Sequence, residues 1–181
     1  MGRNAGWLTA AAELASHKGH GADLIYLPEV PFDVDKFVDD VRHVCERNNN
    51  KCIVVVSEGI KNKEGRYISE SDIGSNDGFG HAQLGGLASK LAAIVKERLD
   101  VKVRPIELSL MQRCGAHLAS KTDVEEAFAA GAFAVKSACE GETDKMVIFE
   151  RDMSDGTYKC NCVLMPLGLA ANTEKTDPLA W

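Results

Sequence analysis

The chain has 181 residues, which at roughly 100–200 residues per domain means one domain or one and a fraction, and excludes a large multidomain enzyme. Hydrophobic residues make up 45% and charged residues 27%, a soluble globular balance, and no apolar run approaches the ~18 residues that span a bilayer. Lys and Arg number 21 against 27 Asp and Glu, for a formal net charge of −6. A nucleic-acid surface therefore has no global electrostatic support, and an anionic ligand must be held by a few placed cations.

Leu8, Ala11, Ala12, Leu14 and Ala15 recur at helical spacing, which predicts a helix over Leu8 to Ala15, beginning a few residues after Met1-Gly2-Arg3. His17-Lys18-Gly19-His20-Gly21 breaks it, and Leu24 to Leu27 reads as a short buried strand stopped by Pro28. Asp33 then caps a helix whose Val34, Phe37, Val38, Val41, Val44 and Cys45 follow the i, i+3, i+4, i+7 pattern, and Asn48, Asn49 and Asn50 end it. Cys52 to Val56 is a continuous, largely β-branched run, the pattern of a strand buried on both faces in a parallel sheet. It delivers Ser57-Glu58-Gly59 to the strand's C-terminal end.

Lys61 to Gly80 is rich in Gly, Ser, Asn and charge, hence a long exposed loop. A helix is predicted from about Gln83 to Arg98 and a strand from about Val101 to Leu110. Thr122 or Asp123 caps the next helix, which carries Val124, Ala127, Phe128, Ala132, Val135 and Cys139. Lys145 to Phe149 is another strand, and Lys159 to Leu164 has the composition of one more. Helices alternating with short apolar strands predict an α/β fold with a mostly parallel sheet flanked by helices.

The six cysteines are Cys45, Cys52, Cys114, Cys139, Cys160 and Cys162, with no C-x-x-C among them. Their scatter, with no signal peptide ahead of them, reads as reduced thiols in the cytoplasm. His17 with His20, and Cys160 with Cys162, lack the second matching pair that a zinc site needs. Gly78-Phe79-Gly80-His81 and Gly85-Gly86 complete no phosphate-loop pattern and read as a turn and a closely packed helix entry.

In open α/β sheets, ligands sit at the C-terminal ends of strands, which singles out Glu58 and Gln112-Arg113, with Gly2-Arg3 at a helix entry. Arg3 and Arg113 offer planar forks for a phosphate, Glu58 can accept hydrogen bonds from sugar hydroxyls, and together they describe a sugar-phosphate pocket. On pattern alone an arginine at a strand end is more often a surface or ion-pairing residue, and a lone Glu58 a solvated loop acid.

Met1 to Thr9, Val54 to Gly59, and Gln112 to Gly115 resemble, in this order, three successive signatures of the phosphofructokinases. Asp77 to Gly86, followed by Lys102-Val103-Arg104, is similar to the diphosphate-using branch of that family. The resemblance implies that Met1, Gly2 and Arg3 contact fructose 6-phosphate and the phosphoryl in transfer, and that Glu58 hydrogen-bonds the sugar. Leu110 to Arg113 then bind the sugar and its phosphate, with Arg113 the charged member, and Arg104 reaches a neighbouring subunit's site. Leu110 departs from the family pattern, since many relatives carry His or Tyr there.

Two family motifs are absent from the 181 residues: the G-G-D loop that binds the donor, and the T-I-D-x-D segment whose aspartate activates the sugar hydroxyl. Phosphoryl transfer needs both substrates in line with a metal ion and a base. The resemblance thus implies a C-terminal fragment of a glycolytic 6-phosphofructokinase that uses diphosphate rather than ATP, with Met1 internal to the complete enzyme. It has no catalytic residue of its own, and Mg2+ is a cofactor of the complete enzyme that this chain alone does not bind. Its partners are fructose 6-phosphate, the missing N-terminal half and further copies in a homo-oligomer, with no nucleic acid and no membrane.

By the same resemblance, residues 1–116 form the fructose-6-phosphate domain. Residues 117–181 form a segment returning to the donor-binding domain, plus a tail. Val124, Phe128 and Val147 would then expose apolar surface and favour self-association. Two other readings stay open: a non-catalytic sugar-phosphate-binding or regulatory module, and a plain α/β interaction domain whose arginines lie on the surface.

Overall fold

Trp7–Ala10 forms one α-helical turn (α1) that tightens into a 3-10 helix over Ala11–Lys18 and stops at Gly19, whose φ of 73° is left-handed. The helical spacing seen in the sequence is thus realised, in tighter form. The coordinates are a computed structural model that describes residues 4–69, 86–176 and 178. They fall into two compact units, Met1–Glu107 with Glu174–Trp181, and Leu108–Thr173.

In the first unit, β1 (Leu24–Tyr26) pairs in parallel with β2 (Val54–Val56), in the register Leu24↔Val54, Ile25↔Val55 and Tyr26↔Val56. Parallel strands need a crossover, and α2 (Val34–Arg47) supplies it. Asp33 caps α2 as predicted, its Oδ1 accepting from the Asp35 and Lys36 amides at 3.0 and 3.2 Å. After Arg47, Asn49 and Asn50 take left-handed φ of 50° and 58°, a conformation in which asparagine is favoured over other non-glycine residues. Both strands are only half-buried, which corrects the expectation of burial on both faces. Leu24, Tyr26, Val54 and Val56 pack on the core while the intervening Ile25 and Val55 point the other way, as strand alternation requires.

The core joins the buried faces of α2 and of α3 (Leu87–Leu99) around Ile60 and Phe32. Leu87, Leu91 and Val95 recur at i, i+4 and i+8 on the buried side of α3. Gly86, at φ 71°, precedes α3 outside the helix, so helical structure begins at Leu87. Gln83 to Gly85, with which the predicted helix opened, lie outside the described residues, as do 70–80 of the predicted loop.

The strand expected over Val101 to Leu110 does not form. Val101 and Val103 pack on the core as alternating residues do, but 101–108 pairs with no strand among the described residues. Pro105 also has no N–H to give a ladder. Ser109–Arg113 is instead a short helix, α4.

The second unit carries α5 (Lys121–Cys139), capped by Ser120, whose Oγ accepts from the Asp123 amide at 3.4 Å, rather than by Thr122 or Asp123. A hairpin follows, in which β3 (Lys145–Asp152) pairs antiparallel with β4 (Lys159–Pro166). Both strands expected there exist, and each is longer than its apolar segment. The turn between them is made by Asp152 and Asp155, which accept from the amides of Ser154 and Thr157 at 2.8 and 3.0 Å. The last element is α6 (Leu167–Ala170). The α/β class predicted from the sequence is what the chain adopts, with the parallel pair and its helices in the first unit and the antiparallel hairpin in the second.

Candidate functional site

At the C-terminal end of β2 the ladder runs one residue further, the Ser57 amide donating to the Tyr26 carbonyl at 3.1 Å. The chain then turns sharply. The Gly59 amide donates to Ser57 Oγ at 3.4 Å and the Ile60 amide to the Ser57 carbonyl at 3.3 Å. Ser57, Gly59 and Ile60 are buried and Glu58 alone is exposed, so the turn holds the Glu58 carboxylate out at the strand end. Ser69 Oγ donates to the Glu58 carbonyl at 3.4 Å and ties the following loop to this turn.

The described part of that loop, residues 61–69, is tied down by several bonds. Asn62 Oδ1 accepts from the amides of Glu64 and Arg66 at 3.1 and 2.9 Å, an Asx turn. Lys61 pairs with Tyr67 across it, and its Nζ stands 4.6 Å over the Tyr67 ring, a cation–π contact. The Tyr67 hydroxyl donates to Asn4 Oδ1 at 2.7 Å. Asn4 directly follows Met1, Gly2 and Arg3, which lie outside the described residues.

Arg104 is exposed in the irregular segment after α3. Leu110, expected to end a strand, and Arg113, expected just after it, both sit on α4, and both are exposed. Three residues apart on one helix, they are neighbours on its surface. The described site residues are therefore divided: Glu58 and Arg104 belong to the first unit, Leu110 and Arg113 to the second. Tyr67 and Glu174, which bond Asn4 from 63 and 170 positions away, escaped the sequence reading because no local pattern marks a contact at such separation.

In the second unit, α5 presents an apolar stripe of Ala127, Phe128, Gly131, Ala132 and Val135 to a shallow surface depression. Val124 and Phe128 are exposed and Val147 is half-buried. Tyr158 donates to Glu126 Oε1 at 2.8 Å, and this bond to a carboxylate pushes its phenol up to about 12. Among the described residues no three His, Cys, Asp or Glu side chains are grouped to hold a metal ion, so the described residues do not fit a Mg2+ site. No helix among the described residues is long and apolar enough to cross a membrane.

The family pattern described as phosphofructokinase matches residues 1–138. The chain is 46% identical, over 98% of its length, to the pyrophosphate–fructose 6-phosphate 1-phosphotransferase of Xanthomonas campestris pv. campestris (strain B100). It is 43% identical over 100% of its length to the protein of the same name from Methylococcus capsulatus. The chain spans 42% of the length of each of these relatives. The crystal structure of a pyrophosphate-dependent phosphofructokinase from Nitrosospira multiformis superimposes with a TM-score of 0.75 at 35% identity, covering 99% of this chain and 40% of that one. A family match over most of the chain and a shared fold along nearly all of it lead to one conclusion: the chain belongs to the phosphofructokinase family.

Proposed function

We propose that this chain supplies the fructose 6-phosphate side of a diphosphate-dependent 6-phosphofructokinase, a glycolytic enzyme of the cytoplasm that phosphorylates the sugar's 1-hydroxyl. The observation that carries the reading is 46% identity, along 98% of the chain, to a protein named for that reaction. Residues 1–116 form the sugar-phosphate domain and 117–181 return toward the donor-binding half. Arg3 and Arg113 hold the phosphate through paired, charge-assisted hydrogen bonds, as guanidinium forks do. Glu58, exposed at the end of β2, accepts from sugar hydroxyls. Met1, Gly2 and the Leu110 backbone line the pocket, and Arg104 reaches the site of a neighbouring copy in a homo-oligomer.

With G-G-D and T-I-D-x-D both absent from its 181 residues, the chain alone binds sugar phosphate without turning it over, because positioning the donor, metal and base requires the other half. Mg2+ belongs with that half. The exposed α5 stripe around Phe128 is the surface which that half covers.

Calorimetric titration with fructose 6-phosphate tests the reading. The expected result is saturable binding that weakens by about tenfold or more in Arg113→Ala, with no turnover of diphosphate or ATP. A polypeptide carrying the two absent motifs, added in trans, should restore turnover with diphosphate. Binding without any restored turnover would favour the non-catalytic sugar-phosphate module instead. Absence of binding, or equal binding by Arg113→Ala, would overturn the assignment.

A further inference from the structure

The N-terminal end of α3 is capped from a distance. Gly86, the residue before the helix, has no side chain with which to cap it. The second helical amide, that of Ala88, donates instead to Glu107 Oε1 at 2.9 Å, on a residue 19 positions further along the chain. The first amides of a helix have no partner inside it, and the helix end carries partial positive charge, so this charge-assisted bond satisfies the helix and the carboxylate together.

The helix that Glu107 grips is a firm support. Leu87, beside Ala88, is 2% exposed, and with Leu91 and Val95 it fixes α3 to the core. Before Glu107 in the chain, Val101 and Val103 pack against that same core. Residues 104–106 therefore bridge two attachments to one body, the Val103 side chain and the Glu107 carboxylate, within the first unit. Arg104, Pro105 and Ile106 make the bridge, and all three are exposed. Pro105 has its φ locked by its ring and disfavours helical backbone at the residue before it, so Arg104 is held extended. Because 101–108 pairs with no strand among the described residues, it is these two attachments, and not a ladder, that fix the bridge.

We propose that Glu107 is a positioning residue for Arg104, closing the bridge that holds the arginine backbone ready for the sugar phosphate. The inference rests on the reading above, in which Arg104 serves the site of a neighbouring copy. An arginine on a loose segment would have to be ordered when the phosphate arrives, and that ordering costs affinity. The bridge removes part of the cost beforehand. A cap that served α3 alone would leave affinity untouched while the chain stays folded, which makes the two roles separable.

The test uses the full 181-residue chain with Arg104→Ala, Glu107→Ala, Glu107→Gln and the double variant Arg104→Ala with Glu107→Ala. Each is titrated calorimetrically with fructose 6-phosphate at a temperature where all are folded, and amide hydrogen exchange is read at Ala88. Glu107→Ala should speed exchange at Ala88 and weaken binding by about threefold to tenfold, the ordering cost of one arginine side chain. Glu107→Gln keeps an oxygen for the Ala88 amide and should retain most of the affinity. In the Arg104→Ala background, Glu107→Ala should weaken binding no further, because the group it positions is gone. An equal further loss there would make Glu107 a residue of general stability and overturn the proposal, and unchanged exchange at Ala88 would overturn the cap. If the unsubstituted chain does not bind, or Arg104→Ala binds as tightly, the reading of Arg104 fails and the proposal falls with it. If Arg104→Ala weakens binding and Glu107→Ala does not, the proposal alone falls.

Discussion

The same substitution at two phenylalanines should give opposite results. Phe37 on α2 is 2% exposed, and its ring lies 5.4 Å from Tyr26 at 78° and 5.4 Å from Phe32 at 43°. Truncating a buried phenylalanine to alanine costs about 3–5 kcal/mol in lost transfer energy and residual cavity, edge-to-face ring pairs included. The site has little freedom to collapse, because the Tyr26 hydroxyl donates to Asp40 Oδ2 at 2.9 Å and holds its ring in place, so Phe37→Ala belongs in the upper part of that range. Phe128 on α5 is 79% exposed and has almost no buried area to lose, so Phe128→Ala should change stability by less than about 0.5 kcal/mol. At a urea slope of ~2 kcal/mol/M, the two outcomes are a fall in midpoint of about 2 M and essentially none. Far-UV circular dichroism in urea reads both helices and checks the difference. A loss below about 1 kcal/mol for Phe37→Ala would mean that the aromatic cluster is not the core. An equal loss at both positions would mean that the α5 stripe is covered.

Two further expectations concern titration and reactivity. The Lys36 amide and then the Lys63 ammonium, both bonded to the Asp33 carboxylate, hold its pKa below the ordinary 3.8. A depressed carboxylate stabilises the fold fully above its unfolded pKa and loses that contribution as pH falls through the folded value. Its share of the melting temperature should therefore be lost below about pH 4, and Asp33→Asn, which keeps a capping oxygen but no charge, should make the acid limb slightly shallower; an unchanged limb would refute the assignment. Burial, followed by the neighbouring Cys45, pushes the Cys52 thiol up to about 11. At pH 8 only about one Cys52 in a thousand is then thiolate, so iodoacetamide followed by peptide mass spectrometry should find exposed Cys114 and Cys139 modified well before Cys52. Equal rates at the three would contradict the burial of Cys52.

Legibility in the sequence tracked the range of the forces involved. The α2 helix was readable to the residue at its cap, because Asp33 and the apolar positions it precedes act within a few turns. The Val54–Val56 strand and its delivery of Glu58 were readable for the same reason. The segment after α3 was not. Val101 and Val103 alternate with charge as a strand does, but alternation reports only which side chains face the core, while a strand also needs a partner backbone, and none pairs with it among the described residues. Leu110 was consequently placed at the end of a strand and Arg113 just after it, whereas both lie on α4.

The candidate site divides along the same line. The candidate residue types stood out in the sequence, since the types that grip a phosphate or a sugar hydroxyl are few, and Arg3, Glu58 and Arg113 fall in the order of the three motifs that carry the family resemblance. The long-range hydrogen bonds of Asn4 did not. Asn4 is one residue from Arg3, yet its two partners come from a turn 63 residues on and a segment 170 residues on, and neither Tyr67 nor Glu174 lies in any motif. Recognition groups are constrained by the ligand's chemistry and so repeat from protein to protein, whereas their supports are constrained only by the need for some complementary donor and acceptor at the right distance. A half-buried tyrosine in a loop and a glutamate near the C-terminus satisfy that need without leaving a pattern, which is why such supports are better sought in a structure's hydrogen bonds than in its motifs.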